Sequence, residues 1–375
     1  MAGLRIIVVG AGIVGASVAE ALALDGHHVT VVDRGPPGGG ATAAGMGHVV
    51  VMDDSDAQIA LTAYGQRLWD ERGPTLPPAG ERMVCGTLWV AADDEEMAEV
   101  HRKRDFYHGR GVAAEVLDAA GLRRAEPHLR DGLAGGLLVP GDSVLYPPPI
   151  AEAMLRTVVQ HGGEVRLGKV AVAMSGHAVK LEDGTTLACD YAVNAAGSHA
   201  AELCPEFQIK PRKGHLVITD RYPGFVRHQL VELGYLKSAH KSTGSSVAFN
   251  VQPRPTGQLL IGSSRQFGDD SREVDYGLLS KMLDRAVEYM PEIASLSALR
   301  VWTGFRAATP DKLPLIGPHP DDPHLLLATG HEGLGITTSL GTARLIADGL
   351  AGRAPDIAAD PYLPARILTE ATHAH

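Results

Sequence analysis

The sequence predicts a mixed α/β fold in which β-rich segments interrupt a nucleotide-binding domain. Apolar strands that end in glycine-rich turns occur near the start, in the middle and near the end of the chain. Short strands with alternating apolar residues occupy much of the two stretches between them, residues 86–139 and 205–305. With 375 residues, the chain is long enough for two or three domains and can bury a large core.

The first 33 residues contain the complete pattern of a dinucleotide-binding unit. An apolar strand over 4–9 leads into Gly10-Ala11-Gly12-Ile13-Val14-Gly15, which fits G-x-G-x-x-G. A helix over 16–24 and a strand over 29–32 follow, and that strand ends at Asp33. The three glycines allow a tight turn, close approach of the backbone to a pyrophosphate and close packing of helix on strand. We therefore expect a dinucleotide at this helix N-terminus, with Asp33 accepting hydrogen bonds from its adenosine ribose.

The charge and the cysteine content argue against several classes of function. The chain has 34 basic and 44 acidic residues, whereas a protein that binds nucleic acid or an anionic membrane needs a basic face. Its cysteines, Cys85, Cys189 and Cys204, have no metal-ligand spacing, so we expect no metal site and a reducing, cytoplasmic location. No apolar run is long enough to span a membrane, and the first strand begins too early to leave room for a signal peptide.

The remaining elements are predicted from turn residues and apolar spacing. Residues 34–40 are rich in glycine and proline and are predicted to form a loop. Residues 41–46 are small, which suits either a helix start against a flat, close partner or a tight contact between two helices. Residues after Pro355 are predicted to form a tail. Helices are predicted over 55–71, 95–109, 150–161, 276–290 and 338–350. Strands are predicted over 86–91, 137–140, 165–167, 170–174, 178–181, 186–189, 191–194, 215–218, 259–261 and 325–328.

Four glycine-rich or small-residue strand ends could share one long ligand. They are Gly10–Gly15, Ala43–Gly47, Asn194–Gly197 and Gly330–Gly335. Ligands of doubly wound sheets bind at the carboxyl ends of the strands. A nicotinamide-dependent dehydrogenase would need only the first of these turns, followed by regular βαβ units. This chain leaves that pattern after two strands, which favours FAD.

A set of motifs extends from near residue 5 to near residue 350. They are Gly10–Gly15 with Asp33, Ala43-Ala44-Gly45-Met46, Arg212-Lys213-Gly214-His215, Gly304-Phe305-Arg306-Ala307-Ala308-Thr309-Pro310-Asp311 and Gly330-His331-Glu332-Gly333-Leu334-Gly335. In type and in order these motifs resemble those of the D-amino-acid oxidase superfamily of FAD-dependent oxidoreductases, and within it glycine oxidase and the bacterial D-amino-acid and D-hydroxyproline dehydrogenases.

The resemblance implies a Rossmann-like FAD-binding domain of the glutathione-reductase type with an inserted β-rich substrate domain. The FAD-binding domain is then discontinuous and comprises residues 1–85, 140–204 and 306–355. The substrate-binding domain comprises 86–139 and 205–305, and residues 356–375 form the C-terminal tail.

The resemblance also implies non-covalent FAD and the residues that contact it. The stretch Ala43–Met46 is expected against the isoalloxazine, and the backbone of Val170 at the adenine. The helix after Gly330–Gly335 is expected to point its N-terminus at the N1–C2=O edge, where the negative charge of reduced flavin develops. No cysteine in that turn offers a covalent link. The expected cofactor contacts are Gly10, Ala11, Gly12, Ile13, Val14, Gly15, Asp33, Arg34, Thr42, Ala43, Ala44, Gly45, Met46, Val170, Ala196, Gly197, Gly304, Gly330, His331, Gly333, Leu334, Gly335 and Ile336.

Arg306 is the predicted ligand of a substrate carboxylate, since a guanidinium binds a carboxylate with two parallel hydrogen bonds. Such binding would hold the α-carbon over flavin N5, and positioning could then replace a dedicated general base. A surface ion pair with Asp311 is the alternative for Arg306. His48, His331 and Glu332 are further catalytic candidates that could bind the amine or a hydroxyl, or tune its protonation. A histidine satisfied by the backbone is equally compatible with each.

Three more residues are expected at the substrate together with Arg306. Met46 lies in the flavin-contacting stretch, and Tyr235 and Asn250 lie in the β-rich part that should cover the site. Asn250 occupies the place where relatives often have a carboxylate-binding tyrosine. His215 stands where many relatives have glutamine.

These features predict an FAD enzyme that oxidises the C–N bond of a D-amino acid, an imino acid or an N-substituted glycine. Hydride transfer to flavin N5 would give an imine, which hydrolyses. The electron acceptor would be O2, a quinone or a partner subunit in a homo- or hetero-oligomer, and Gly45–His48 and Ile336–Ser339 resemble the dehydrogenases. The alternatives are a non-catalytic or electron-transfer flavin subunit of a larger dehydrogenase complex, and a nicotinamide-dependent reductase.

Overall fold

The computed structural model describes residues 3–234 and 244–372. Its strands are β1 (Arg5–Val9), β2 (His28–Asp33), β3 (His48–Val49), β4 (Met83–Val84), β5 (Thr87–Ala91), β6 (Glu115–Asp118), β7 (Gly135–Val139), β8 (Ser143–Val144), β9 (Glu164–Leu167), β10 (Ala171–Ser175), β11 (Ala178–Leu181), β12 (Thr186–Ala188), β13 (Tyr191–Asn194), β14 (Lys210–Arg221), β15 (Gln229–Glu232), β16 (Ser246–Pro253), β17 (Gln258–Arg265), β18 (Ala298–Ala308), β19 (Leu315–His319) and β20 (Asp322–Thr329).

The helices lie between these strands and at the C-terminal end of the described chain. They are α1 (Ile13–Leu24), α2 (Gly40–Ala44), α3 (Asp56–Arg72), α4 (Asp94–His108), α5 (Ala119–Ala125), α6 (Pro147–Gln160), α7 (Ala200–Leu203), α8 (Tyr276–Tyr289), α9 (Gly335–Ala351) and α10 (Ala365–Thr372). None of these helices is long and apolar enough to cross a membrane.

A six-stranded sheet forms the nucleotide-binding part of the fold, in the order β19-β20-β13-β1-β2-β9. All neighbouring pairs are parallel except β19 and β20. Val8 pairs in register with Val193 on one side and with Val31 on the other, and none of the three side chains is exposed. Parallel strands covered on both faces need such continuous apolar runs. Helices α1, α6 and α9 pack together against this sheet. The predicted Rossmann-like arrangement is confirmed.

An eight-stranded, largely antiparallel sheet forms the second part, in the order β18-β14-β17-β16-β15-β5-β7-β6. Only β15 and β5 run parallel. Helix α8 covers one face, where Met282 and Ala286 pack with Phe249 of β16 in a core, and all three side chains are fully buried. The opposite face is turned toward the nucleotide-binding sheet. The structure is therefore the mixed α/β fold with a β-rich insertion that the sequence predicts.

The two sheets draw on different segments of the chain. Every strand of the six-stranded sheet lies within 1–85, 140–204 or 306–355. Every strand of the eight-stranded sheet lies within 86–139 or 205–305, apart from the last three residues of β18. The division into domains at these boundaries stays a prediction.

Some helices begin earlier than the apolar spacing predicts. Helix α6 starts at Pro147 rather than at Ile150, because proline lacks the N–H that the first turn leaves unused and has a helical φ. Helix α9 starts at Gly335 rather than at Thr338, directly in the glycine turn. Helix α3 begins as predicted, with the Ser55 side chain accepting a hydrogen bond from the backbone N–H of Gln58.

The chain after Pro355 packs against the nucleotide-binding part. The Tyr362 side chain is buried, and its hydroxyl donates a hydrogen bond to the carbonyl of Ala57 (2.7 Å). Arg366 forms an ion pair with Asp311 (Nε to Oδ2, 2.6 Å). This C-terminal segment thus contributes to the core and to the surface of that part.

Candidate active site

One large cavity extends from the carboxyl ends of the parallel strands to the inner face of the eight-stranded sheet. Its volume is about 950 Å3, at the upper end of the range for small-molecule sites. All four predicted strand ends contribute to its wall. Among the predicted cofactor contacts, only Ala11 and Val170 are not part of that wall, and both neighbours of Val170, Lys169 and Ala171, are. The cavity can therefore hold one long ligand that contacts every glycine-rich turn.

The first glycine turn is made by close backbone contacts. Gly10 has a φ of +121°, and a Cβ there would lie 2.2 Å from the carbonyl oxygen of Ala195. A Cβ on Gly15 would lie 1.9 Å from the carbonyl oxygen of Gly10. Gly12 has more space and faces Thr42, whose hydroxyl accepts the N–H of Ile13 (3.0 Å). The outer two glycines are thus required by the turn itself, and the middle one by the approach to the cavity.

Asp33 connects this turn to the loop that follows β2. Its two carboxylate oxygens accept the backbone N–H groups of Ala11 and Gly35, each at 2.6 Å. A carboxylate oxygen has further acceptor capacity, so these bonds are compatible with the expected contact to a ribose. Arg34 also lines the cavity and forms an ion pair with Glu202 (3.0 Å).

The small residues of α2 lie directly on the eight-stranded sheet. A Cβ on Gly304 of β18 would lie 2.4 Å from the Cβ of Ala44, so glycine is needed there for the close packing. The indole N–H of Trp302 donates to the carbonyl of Ala44 (3.1 Å), and the side-chain amide of Gln252 donates to the carbonyl of Met46. Small residues therefore bring this stretch close to a strand while it also lines the cavity.

Arg306 extends along the inner face of the eight-stranded sheet. Its guanidinium lies over Gly214 of β14, where a Cβ would be 2.5 Å from Nη1. The same nitrogen donates a hydrogen bond to the carbonyl oxygen of Ser264 (3.1 Å). Burial lowers the pKa of Arg306 from 12.5 to about 10, so the side chain keeps its charge at neutral pH. Asp311, the alternative partner, forms its ion pair with Arg366 instead.

Two further arginines surround Arg306. Arg212 lies directly opposite it in the register of β14 and β18 and contacts the carboxylate of Glu332. Burial lowers the pKa of Arg212 to about 9, and the charge of Arg306 contributes. Burial lowers the pKa of Arg265 to about 8, with contributions from both other guanidinium groups, while Asp54 opposes the shift. Together the guanidinium groups of these three arginines and the carboxylates of Glu332 and Asp54 carry an excess of one positive charge.

The two histidines are neutral at physiological pH. His48 Nε2 lies 3.1 Å from the carbonyl oxygen of Gly333. Burial lowers the pKa of His48 to about 4; the Gly333 bond opposes that shift, and Arg306 adds to it. His331 Nε2 lies 2.9 Å from the hydroxyl of Thr342 in α9, and burial lowers the pKa of His331 to about 3. His331 thus connects the turn Gly330–Gly335 to helix α9, whereas His48 lies beside Arg306.

Asn250 and Met46 both line the cavity, whereas Tyr235 lies outside the described residues. Asn250 pairs in register with Gly262 of β17. A Cβ on Gly262 would lie 3.3 Å from the sulfur of Met46, so glycine leaves space for that side chain. In the part of the chain that the structure describes, the Asn250 side-chain oxygen is buried without a hydrogen-bond partner.

His215 supports the site from the strand behind it. The backbone N–H of Asp275 donates to its Nε2 (3.0 Å), so Nδ1 carries the proton and donates to the Ser264 hydroxyl (2.9 Å). Ser264 is the residue whose carbonyl accepts from Arg306. His215 therefore helps to position Arg306.

Four residues of the site have no role that the sequence alone predicts: Arg212, Arg265, Ser264 and Gln252. Arg212 belongs to a motif that was recognised, but its place opposite Arg306 follows only from the register of β14 and β18. Arg265 and Ser264 lie at the end of β17, and nothing near them in the sequence marks a site. The one signal in the sequence is that Arg212 and Arg306 both lie in recognised motifs, and these motifs form the neighbouring strands β14 and β18.

Comparison with known proteins agrees with this geometry. The family model described as "DAO: FAD dependent oxidoreductase" matches residues 5–349. A glycine oxidase of Pseudomonas aeruginosa is 29% identical over 388 residues, covering 96% of this chain and 98% of the relative. A D-amino acid dehydrogenase of Xanthobacter autotrophicus is 27% identical over 423 residues, covering 94% and 97%. The crystal structure of glycine oxidase from Geobacillus kaustophilus superposes with a TM-score of 0.86 at 25% identity, covering 96% and 98%.

Proposed function

The chain belongs to the DAO family of FAD-dependent oxidoreductases, and from that premise we propose that it oxidises the C–N bond of a D-amino acid, an imino acid or an N-substituted glycine. Bound FAD supplies the acceptor for a hydride from the substrate α-carbon. The wall formed by Gly10–Gly15, Ala43–Met46 and Gly330–Ile336 would hold it, because glycine and alanine positions in each of these stretches bring backbone to the cavity. The family assignment favours this enzyme over a nicotinamide-dependent reductase.

The position of Arg306 is the observation that carries the proposal. Its guanidinium lies in the cavity wall, and the carbonyl of Ser264 takes one of its five N–H donors. A carboxylate can accept two parallel hydrogen bonds from the others. The local excess of one positive charge matches a substrate with one carboxylate. The relatives named for glycine and for D-amino acids support this substrate class.

The charge cluster also favours the reactive form of the substrate. Hydride loss from the α-carbon needs the lone pair of an uncharged amine nitrogen to form the imine. An ammonium group near Arg212, Arg265 and Arg306 would be repelled, so the bound amine should lose its proton to solvent more readily than the free one. Glu332 limits this effect, because its carboxylate contacts Arg212.

Anaerobic addition of candidate substrates to the yellow, FAD-loaded protein tests the proposal. The panel comprises small D-amino acids, D-proline, D-hydroxyproline, sarcosine and glycine. At least one should bleach the flavin absorbance, and quantitation of the keto or imino product should match the bleached flavin. If no member bleaches a fully loaded protein, a non-catalytic or electron-transfer subunit is the better description. Admission of air then separates O2 from a quinone or partner subunit as the electron acceptor.

A further inference from the structure

Among the residues that the structure describes, three of the predicted catalytic side chains lie near Arg306 and could meet the substrate nitrogen. Glu332 is engaged with Arg212, and His331 is bonded to Thr342 of α9. His48 is different, because it lines the cavity and uses only one of its two ring nitrogens for the protein.

The protein fixes the tautomer of His48. A backbone carbonyl can only accept a hydrogen bond, so Nε2, which faces the Gly333 oxygen, carries the proton. The low pKa of the ring excludes a second proton at neutral pH. Nδ1 is therefore an acceptor with a lone pair and no hydrogen.

That acceptor is unsatisfied by the protein. Within residues 3–234 and 244–372, Nδ1 of His48 has no hydrogen-bond partner and almost no accessible surface, so a bound donor reaches it through a small shift of the ring or of its neighbours. Buried polar atoms are nearly always hydrogen-bonded, and an unpaired one usually indicates a missing water, ion or ligand. Leaving the acceptor unpaired costs free energy that a bound donor can recover.

The His48 ring and the Arg306 guanidinium, the proposed ligand of the substrate carboxylate, lie in one corner of the cavity. Gly333 accepts from His48, and a Cβ on Gly333 would lie 3.8 Å from Nε of Arg306. The charge of Arg306 also acts on the His48 imidazole. In an α-amino acid the carboxylate and the nitrogen are attached to the same carbon. A substrate whose carboxylate binds Arg306 therefore presents its nitrogen close to this corner.

We propose that His48 Nδ1 accepts a hydrogen bond from the substrate nitrogen, so that the site selects primary and secondary amines over tertiary ones. The inference rests on the proposed function. The hydrogen bond uses an N–H of the neutral amine. After hydride transfer this proton stays on the nitrogen of the iminium product, until the product hydrolyses or the proton is lost to solvent. His48 takes no proton in this step and acts by orienting the nitrogen.

Binding of two non-reactive ring acids to the FAD-loaded protein tests the proposal by calorimetry. Pyrrole-2-carboxylate and 2-furoate share a five-membered ring and a carboxylate, but only the first has a ring N–H. The wild-type protein should bind pyrrole-2-carboxylate about ten-fold more tightly, since one hydrogen bond to a buried acceptor is at stake. Equal affinities would overturn the proposal.

Two substitutions separate substrate binding from the bond to Gly333. Asn places an acceptor near the position of Nδ1, and Gln places an amide N–H near Nε2. His48→Asn should keep most of the preference for pyrrole-2-carboxylate, and His48→Gln should lose it while keeping the bond to Gly333. The reverse pattern would show that His48 is only structural. His128→Asn, at a half-buried ring stacked on Phe225 outside the cavity wall, is the control and should match the wild type.

The same titration distinguishes the two proposals. Arg306→Ala should weaken both acids alike, because both carboxylates use the guanidinium. Undiminished binding to that variant would place the carboxylate elsewhere and contradict the proposed function. Amine-dependent bleaching together with an unchanged preference in His48→Gln would overturn the His48 role alone.

Discussion

The two sheets contribute to one cavity by different means. On the six-stranded sheet the wall is mostly backbone, in the turns Gly10–Gly15 and Gly330–Gly335. On the eight-stranded sheet it is formed mainly by side chains, apolar ones such as Leu216 and Trp302 and charged ones, with Arg212, Arg265 and Arg306 on three neighbouring strands. The first wall suits a cofactor with a constant shape and the second a substrate that differs among relatives. Substitutions in the two walls should therefore fail in different ways.

The largest effect is expected in the backbone wall. Gly15→Ala places a Cβ 1.9 Å from the Gly10 carbonyl oxygen and should destabilise the fold by about 3 kcal/mol, with loss of FAD. Flavin absorbance after gel filtration and thermal unfolding measure both effects. Gly349→Ala, in the exposed face of α9 with open space around it, is the matched control and should raise stability by about 0.5–1 kcal/mol. A yellow, stable Gly15→Ala protein would contradict the role of that contact.

A smaller and more selective effect is expected in the side-chain wall. Arg306→Ala should keep FAD but raise the apparent KM by at least about ten-fold, through loss of a charged hydrogen-bonded pair. Steady-state kinetics with the best amine from the bleaching panel measure it. Arg166→Ala, in an exposed ion pair with Glu164, is the control and should leave KM unchanged. An unchanged KM in Arg306→Ala would place the carboxylate site elsewhere.

The pH dependence of stability should report His48 and His331, two histidines whose pKa burial lowers. In the unfolded chain a histidine binds a proton near pH 6.5, whereas burial holds the pKa of His331 at about 3 and that of His48 at about 4. Below pH 6.5 the unfolded state thus binds more protons, and stability falls as pH falls. Between pH 6.5 and 5 each histidine should contribute up to about 2 kcal/mol of that loss.

Urea unfolding at several pH values measures this loss. His331→Gln should flatten the dependence between pH 6.5 and 5, and His48→Gln should do so as well. A slope that is the same in both variants as in the wild type would show that the loss comes from other groups.

The smallest effect is expected at Glu332, whose carboxylate partly neutralises the charge of the three arginines. Glu332→Gln removes one negative charge and raises the local excess from one to two positive charges. Carboxylate inhibitors should then bind about three-fold more tightly, and less so at high salt. Calorimetry at two salt concentrations measures it. Weaker binding would instead show that Glu332 holds Arg212 in a position that the ligand needs.

The contrast between the two walls also explains what could be predicted from the sequence. The turns Gly10–Gly15 and Gly330–Gly335 are contiguous, so their glycines could be recognised without knowledge of the fold. Arg306 was recognised because it lies within such a motif. Arg212 and Arg265 could not be placed, because their proximity depends on the register of β14, β18 and β17 and not on local sequence.

The roles of the histidines needed the structure for a related reason. His48 and His331 look alike in the sequence, each near a residue that is predicted to contact the flavin. Their difference arises from one hydrogen bond each, to a backbone carbonyl and to the Thr342 hydroxyl. Asp33 is a similar case. Its position predicts a contact with a ribose, but nothing in the sequence predicts its hydrogen bonds to the backbone of Ala11 and Gly35.

The contact between Arg366 and Asp311 bears on how this protein should be engineered. Asp311 lies five residues after Arg306, and the chain between them leaves the eight-stranded sheet. A truncation after Pro355, chosen because that segment resembles a disposable extension, would also remove the buried ring of Tyr362. Libraries that vary substrate preference should therefore keep the C-terminal segment intact and place affinity tags at the other end.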